Sequence, residues 1–258
     1  MARSKRNFTV ESIINLGRQE MDINNIVITG TGELAERIEK LFSKAGLNVS
    51  RSNYNFSNAD MVIEVFPEDI ETKKRAFHRG EKQAQEKAIF ATTASFGVTE
   101  IAAATRRAQR LVGLNFTFNP FQEKCLIQIV RGLETSEETI QSCRSLVEGI
   151  GATAVEVEDS PGLILDRVMA SIVNEAATIY ASRMATIEDI DRITKLCLNW
   201  PMGPFEFADT IGIDNVLTTL EVLSQRKGPQ FLPCRLLEQM VAMGQLGKKT
   251  GKGFYSYS

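Results

Sequence analysis

The stretch of this chain best suited to handling a ligand is Gly30-Thr31-Gly32-Glu33-Leu34-Ala35, which follows the short apolar run Ile26-Val27-Ile28. A G-x-G-x-x-A turn between a strand and a helix brings backbone close to a pyrophosphate. Gly30 permits the tight turn, Gly32 the close approach, and the small Ala35 lets helix pack on sheet, with phosphate at the helix N-terminus. That is a dinucleotide-binding arrangement. Two features run against it: Glu33 places a negative charge in the turn, and Val49-Ser50-Arg51-Ser52-Asn53, after the second strand, holds no acid. Arg51 between two serines could grip the 2′-phosphate of NADP, or it could be a surface arginine in a fold that has lost tight cofactor binding. The cofactor-binding set expected here is Gly30, Gly32, Ala35, Arg51 and Asn53, for NAD or NADP.

Other reactive side chains are few. The single histidine, His78, sits in the basic run Lys74-Arg75-Ala76-Phe77-His78-Arg79 and reads as part of a solvated helix. Cys125, Cys143, Cys197 and Cys234 are far apart, with no C-x-x-C pair and no histidine nearby, so buried free thiols are expected and neither a metal site nor a redox motif. With 258 residues, 43% apolar and 24% charged, the composition is that of a soluble globular protein and excludes disordered and collagen-like classes. A net charge of −2 gives no electrostatic footprint for nucleic acid or anionic membrane, and the basic Ala2-Arg3-Ser4-Lys5-Arg6 reads as a solvated tail. No apolar run approaches the roughly 20 residues of a membrane span, and the start lacks the apolar region of a signal peptide. A cytoplasmic protein is expected.

The elements that must position these residues alternate in type. Strand candidates are Ile26-Ile28, Leu47-Val49, Met61-Val65, Ala88-Ala91, Leu111-Leu114, Ile127-Val130 and Ala154-Val157, with helical segments between most of them. The first helix has Leu34, Ile38, Leu41 and Ala45 at helical spacing and is closed by Gly46; another opens on the capping box Thr135-Ser136-Glu137-Glu138. Such alternation implies βαβ units and a mostly parallel sheet. After Asp159-Ser160-Pro161 the pattern turns almost wholly helical, with Leu165, Met169, Ile172, Ala176 and Ile179 on one stripe. The fold expected is α/β, a Rossmann-type mostly parallel sheet domain followed by an all-helical C-terminal domain. The division is an extension over residues 1–24, a dinucleotide-binding domain over 25–159 and a helical domain over 160–258.

The last sixty residues carry two specific motifs: Trp200-Pro201-Met202-Gly203-Pro204-Phe205-Glu206, and Leu246-Gly247-Lys248-Lys249-Thr250-Gly251-Lys252-Gly253-Phe254-Tyr255. With the glycine turn they resemble the 3-hydroxyacyl-CoA dehydrogenase family, whose helical domain usually carries Y-P-M-G-P-F-E-L and L-G-x-K-T-G-x-G-F-Y. Asp209 to Asp214 is expected to start the next helix with an N-cap and a turn. The resemblance spans residues 25 to 258 and implies an oxidoreductase of fatty acid metabolism that uses NAD on a 3-hydroxyacyl or related hydroxy acid. It also implies a homodimer through the helical domain.

The same resemblance shows what is missing. Family members carry N-T-S-S-L, H-F-F-N-P, a Glu eight residues beyond that proline, and P-G-F-x-x-N-R. The counterparts here are Thr92-Thr93-Ala94-Ser95-Phe96, Asn115-Phe116-Thr117-Phe118-Asn119-Pro120, Gln128 and Pro161-Gly162-Leu163-Ile164-Leu165-Asp166-Arg167. Asn115, Gln128, Asp166 and Ala94 thus stand at the positions of the catalytic His, Glu, Asn and Ser. Thr117 is an insertion, and counting back from Asn119-Pro120 would put Phe116 in the histidine's place instead. Oxidising a hydroxyl needs a base with a pKa near working pH; imidazole meets that need and an amide does not. Asp166 is a candidate substitute base, though a carboxylate in a helix's first turn is also ordinary dipole compensation. Ser95 and Lys124 could contact substrate. The family's helical hairpin after the second strand is absent, since Ser52 to Asn58 alone lead to the next strand, so recognition of the CoA portion is in question. Two functions follow from the resemblance: a slow or altered dehydrogenase, with Asp166 or a substrate-bound water as base, or a pseudoenzyme acting as a dimeric ligand-binding or scaffold protein.

Overall fold

The computed structural model describes residues 23–53, 55–66, 69–95, 97–118 and 125–257. Residues 1–22 of the proposed N-terminal extension, together with Asn119, Pro120 and Lys124, lie outside the described residues. The chain divides into two compact units, Met1–Asp159 and Ser160–Ser258.

In the first unit, runs of β-branched and aromatic residues form β1 (Asn25–Thr29), β2 (Asn48–Arg51), β3 (Met61–Glu64), β4 (Ile89–Thr92), β5 (Leu111–Phe118), β6 (Cys125–Arg131) and β7 (Thr153–Glu158). They make one sheet in the order β2-β1-β3-β4-β5-β6-β7, parallel throughout except for the antiparallel pairing of β5 with β6. The central strands β3 and β4 are buried along their whole length, as a parallel sheet covered on both faces requires. Helices α1 (Glu33–Lys44), α2 (Ile70–Gly80), α3 (Val98–Ala102) and α4 (Glu137–Gly149) belong to this unit. Ile23, assigned from sequence to the extension, is 3% exposed and packs in the core of the sheet.

Two sequence expectations shift by a residue. α1 buries Ala35, Ile38 and Phe42 while Leu34 stays exposed, so the apolar stripe starts one position later than the spacing suggested. Ser136, not Thr135, caps α4, accepting the backbone N–H of Thr139 at 3.2 Å. Thr135 is already committed: its Oγ1 donates to the Leu111 carbonyl at 2.7 Å and accepts from the Gly132 N–H at 3.0 Å. The N-terminus of α3 is capped from a distance, since Asp159 accepts the backbone N–H groups of Gly97 at 3.1 Å and Thr99 at 2.8 Å.

The helical unit contains α5 (Leu165–Ala181), α6 (Ile187–Leu198), α7 (Pro204–Ile211), α8 (Ile213–Lys227) and α9 (Arg235–Ala242). Its core takes Ala170, Val173, Ala176 and Ala177 from α5, small side chains that let α8 pack closely. Leu165, Met169, Ile172 and Ile179, placed on the buried stripe by their spacing, are only partly covered or exposed. Asp209 does not cap the next helix. It lies within α7, 1% exposed, and its carboxylate accepts from the Phe254 and Tyr255 N–H groups and the Tyr257 hydroxyl, each at 2.9 Å. Asp191 on α6, 2% exposed, plays the matching part at the start of α7, accepting from the N–H groups of Phe205 (2.9 Å) and Glu206 (3.0 Å) and from the Tyr255 hydroxyl (2.9 Å). A Cβ at Gly203 would come within 2.3 Å of the Asp191 carboxyl carbon, and one at Gly253 within 2.0 Å of Asp209 Oδ1. Both C-terminal motifs owe a glycine to these two carboxylates. Burial raises the Asp191 pKa against the hydrogen bonds that hold it down.

Candidate functional site

The carboxyl ends of β1, β3, β4 and β5 lie side by side, the edge at which open parallel sheets bind ligands. At the end of β1 the chain turns through Gly30 at φ 110° and Gly32 at φ 107°, backbone that L side chains adopt only under strain. A Cβ on Gly30 would meet Val65 Cγ2 at 2.8 Å and the Val65 carbonyl carbon at 3.1 Å. Among the described residues nothing lies within 4 Å of the position of Gly32's missing Cβ, and Ala35, fully buried, seats α1 on the sheet. Thr29 Oγ1, beneath this turn, is buried and has no hydrogen-bond partner among the described residues. Open space beside Gly32, free helix N–H groups and this orphaned hydroxyl suit a dinucleotide's pyrophosphate. Glu33 is exposed and turned toward Arg37, 3.8 Å away on the next turn of α1, so its charge lies at the surface.

Arg51 ends β2 with its Nε and Nη2 both 2.7 Å from Glu39 Oε2 on α1. The guanidinium already holds a carboxylate. Asn53 follows in an exposed bend. A cavity of about 450 Å³ lies at the opposite end of β1 from Gly30, lined by Asn25, Asn48, Asn55 and Asn58 among others.

Farther along the edge, β4 and β5 last pair at Thr92 and Gly113, and β5 runs on. Asn115 therefore stands two residues beyond that pair, directly opposite Gln128 in the antiparallel register, and Gln128 Nε2 donates to Asn115 Oδ1 at 3.2 Å. Phe116 faces Ile127, and the inserted Thr117 extends β5 opposite Leu126. Gln128 is 3% exposed and Asn115 half-buried. Ala94, fully buried after β4, donates its N–H to Thr92 Oγ1 at 3.2 Å. Thr92 in turn donates to Glu64 Oε2 at 2.7 Å, and Lys73 Nζ lies 3.0 and 3.1 Å from the two Glu64 oxygens and 2.8 Å from the Phe66 carbonyl. The Phe66 N–H closes the ring onto Glu64 Oε1. Burial pushes the Glu64 pKa up despite the Lys73 ammonium. Asp166 belongs to the helical unit, in the first turn of α5.

Residues 50–160 match the model for the NAD-binding domain of 3-hydroxyacyl-CoA dehydrogenases, and residues 162–257 the model for their C-terminal domain. A probable 3-hydroxybutyryl-CoA dehydrogenase of Bacillus subtilis is 41% identical over 213 residues, 82% of this chain and 74% of its own length. The 3-hydroxybutyryl-CoA dehydrogenase of Clostridioides difficile is 38% identical over 212 residues, 81% of this chain and 75% of its own. The chain belongs to the 3-hydroxyacyl-CoA dehydrogenase family. The crystal structure of (S)-3-hydroxybutyryl-CoA dehydrogenase from Ralstonia eutropha agrees, at 29% identity and a TM-score of 0.81 over 92% of this chain and 100% of that one.

As in the family's NAD-binding domain, the cofactor is NAD(P). The domain match starts at residue 50, so the Gly30 to Ala35 turn lies ahead of it and rests on its own geometry. For this member of the 3-hydroxyacyl-CoA dehydrogenase family, reading the sequence missed the Glu64–Lys73 pair. Its one signal was an acid closing the apolar run Met61-Val62-Ile63, with a lysine nine residues on. His78 lies on α2, its Nδ1 3.5 Å from Glu81 Oε1, with its side chain 59% exposed. Of the cysteines, Cys125 and Cys143 are buried, with thiol pKa values pushed up to about 11 and about 12 by burial. Cys197, expected to be buried, is exposed because its face of α6 is not covered by the helical core. Among the described residues no cluster of His, Cys, Asp or Glu is arranged to hold a metal, and no helix is long and apolar enough to cross a membrane.

The glycine turn gives a direct test. Gly30→Ala forces a left-handed φ on alanine and drives its Cβ into Val65, so NADH affinity should fall at least about tenfold. A fluorescence titration of both proteins measures it; an unchanged dissociation constant would remove the turn from the cofactor site.

Proposed function

We propose that this chain is a divergent dehydrogenase whose cleft takes NAD(P) and a 3-hydroxyacyl-CoA or related hydroxy acid, with slow or altered turnover. The observation that carries this reading is the hydrogen-bonded amide pair Asn115–Gln128 at the ligand edge of the sheet. NAD(P), when bound, supplies the hydride acceptor or donor. The chain must supply the base, and neither amide titrates near neutral pH, so the substrate hydroxyl keeps its proton unless Asp166 or a bound water takes it. Losing general acid–base catalysis removes ~10²–10⁴ in rate.

The same pair favours a second reading, a pseudoenzyme that binds ligand as a dimeric sensor or scaffold. Two amides that satisfy each other form a stable contact with no proton to move. Titration with NADH and NADPH, followed by a turnover assay with acetoacetyl-CoA, separates the readings. Saturable cofactor binding with slow turnover supports the dehydrogenase, and binding with no turnover supports the pseudoenzyme. No binding at millimolar cofactor would remove the dehydrogenase and leave the scaffold.

Arg51 bears on cofactor choice. A 2′-phosphate must displace Glu39 from its guanidinium, although an exposed pair of this kind is worth only about 0–1 kcal/mol. We expect NADH to bind at least as tightly as NADPH, and Arg51→Asp to raise that preference; an affinity ratio unmoved by the substitution would sink the assignment.

The helical unit supports a homodimer. Val168 on α5 and Ile193 and Leu196 on α6 are 50%, 59% and 76% exposed, an apolar surface of the type a second copy covers. Four cysteines without a disulfide fit a reducing cytoplasm.

A further inference from the structure

We infer that Glu64 is a positioning residue for the cofactor: its buried carboxylate fixes two loops of the ligand edge, and the protein binds NAD(P) with that carboxylate ionised. This rests on NAD(P) as the cofactor and adds a residue outside the glycine turn that controls its affinity.

Glu64 closes β3 at the ligand edge, 0% exposed, level with Thr29 on β1 and Thr92 on β4 in the parallel register. An ionised carboxylate has about four acceptor positions, and here four donor contacts fill them. Oε1 accepts from the Phe66 N–H and from Lys73 Nζ at 3.0 Å, and Oε2 from the Thr92 hydroxyl at 2.7 Å and Lys73 Nζ at 3.1 Å. The Thr29 hydroxyl is left without a partner among the described residues. These bonds set both loops. After β3, Phe66 is held at its N–H by Glu64 and at its carbonyl by Lys73, 2.8 Å away. Val65, just before it, is thereby kept against the glycine turn: its N–H donates to the Thr29 carbonyl at 2.9 Å, and its Cγ2 fills the space that a Cβ on Gly30 would need. After β4, Thr92 passes the connection on by accepting the Ala94 N–H at 3.2 Å.

The ring requires the ionised form. A proton on either oxygen would set a hydrogen against a donor already pointing there. It would also leave Lys73, 0% exposed, a buried cation without its counter-charge. Among the described residues Lys73 of α2 is the charged group that faces the carboxylate, while Thr29 of β1 and Thr92 of β4 do not titrate. Burial holds the Glu64 pKa above its ordinary value, so protonation sets in at a higher pH than for an exposed glutamate. Cofactor affinity is therefore lost as pH falls through that pKa.

Isothermal titration with NAD and NADP, which withstand acid better than their reduced forms, reads the effect without turnover. The parent protein should bind its cofactor about tenfold more weakly at about pH 5 than at about pH 8. Glu64→Gln, nearly the same shape, should bind about tenfold more weakly than the parent at about pH 8 and lose the pH dependence. Thr92→Val keeps the carboxylate and removes one of its donors; it should weaken binding severalfold, keep the pH dependence, and serve alone if Glu64→Gln does not fold. A parent affinity that is flat across this range would overturn the inference and leave NAD(P) as the cofactor. So would a Glu64→Gln protein that melts earlier yet binds as the parent does, since the carboxylate would then only brace the core. Thr92→Val binding like the parent would overturn it as well. A parent that binds neither NAD nor NADP at either pH would remove the cofactor reading and the inference together.

Discussion

Asn115→His combined with Gln128→Glu should give the protein measurable reduction of acetoacetyl-CoA with NADH, a gain of ~10²–10⁴ over the parent chain. The backbone needs no change to accept the pair. Positions 115 and 128 are already directly opposed across β5 and β6, with side-chain atoms 3.2 Å apart, so a carboxylate at 128 lies within reach of an imidazole at 115. That carboxylate would orient the ring and raise its basicity, as an opposite charge within hydrogen-bond reach does. The single variants should gain much less. A histidine beside Gln128 lacks its orienting charge, and Gln128→Glu alone buries a carboxylate at a position now 3% exposed, without an ionic partner. The expected pattern is strong non-additivity, read as loss of NADH absorbance for the parent, both single variants and the double variant. A double variant that binds NADH normally and stays inactive would show that more than the pair has been lost, with Ala94 and Asp166 next to be changed.

Asp209→Ala should destabilise the helical unit by about 3–5 kcal/mol, the largest stability effect expected of a single substitution here. The carboxylate is 1% exposed and gathers two backbone N–H groups and a tyrosine hydroxyl from the last five residues. Removing it leaves those donors without their acceptor. Hydrogen bonds to a charged acceptor are worth about 1.5–3 kcal/mol each, with the total reduced by water that reaches the partly exposed end of the chain. Thermal or urea unfolding measures the change. A loss below about 1 kcal/mol would mean that the C-terminal turn is held by packing of Phe254 on Phe205, whose ring centroids are 4.3 Å apart, instead of by the carboxylate.

The middle of the sheet was legible in sequence because β3 and β4 are nearly unbroken apolar runs, and buried parallel strands have that pattern for a physical reason: both faces are covered. Asn115 and Gln128 could be matched to family positions, but the insertion at Thr117 left Asn115 and Phe116 both open for the histidine's place. The antiparallel register decides which of them faces Gln128. What stayed hidden were contacts between carboxylates and backbone N–H groups distant in sequence. Asp191 carried no signal in the sequence, and Asp209 was expected to cap a helix, because nothing in local spacing shows that another segment's amides arrive there. The helical stripe was misplaced for a related reason: periodicity finds an apolar face but not which part of it meets the core, and α5 turns its alanines inward. Arg51 carried the right charge for a phosphate, while its actual partner, Glu39, lies on the preceding helix.

Asp159 is the last residue of the sheet unit, yet it caps α3, some sixty residues earlier in the chain. The loop carrying Ala94 and Ser95 leads toward α3, so during synthesis the carboxylate that caps α3 is missing until β7 and the residue after it have left the ribosome. The sheet unit therefore gains this cap only when its last residue is in place. A dissected fragment must extend through Asp159, because one ending at Glu158 would keep every strand and still lack the cap.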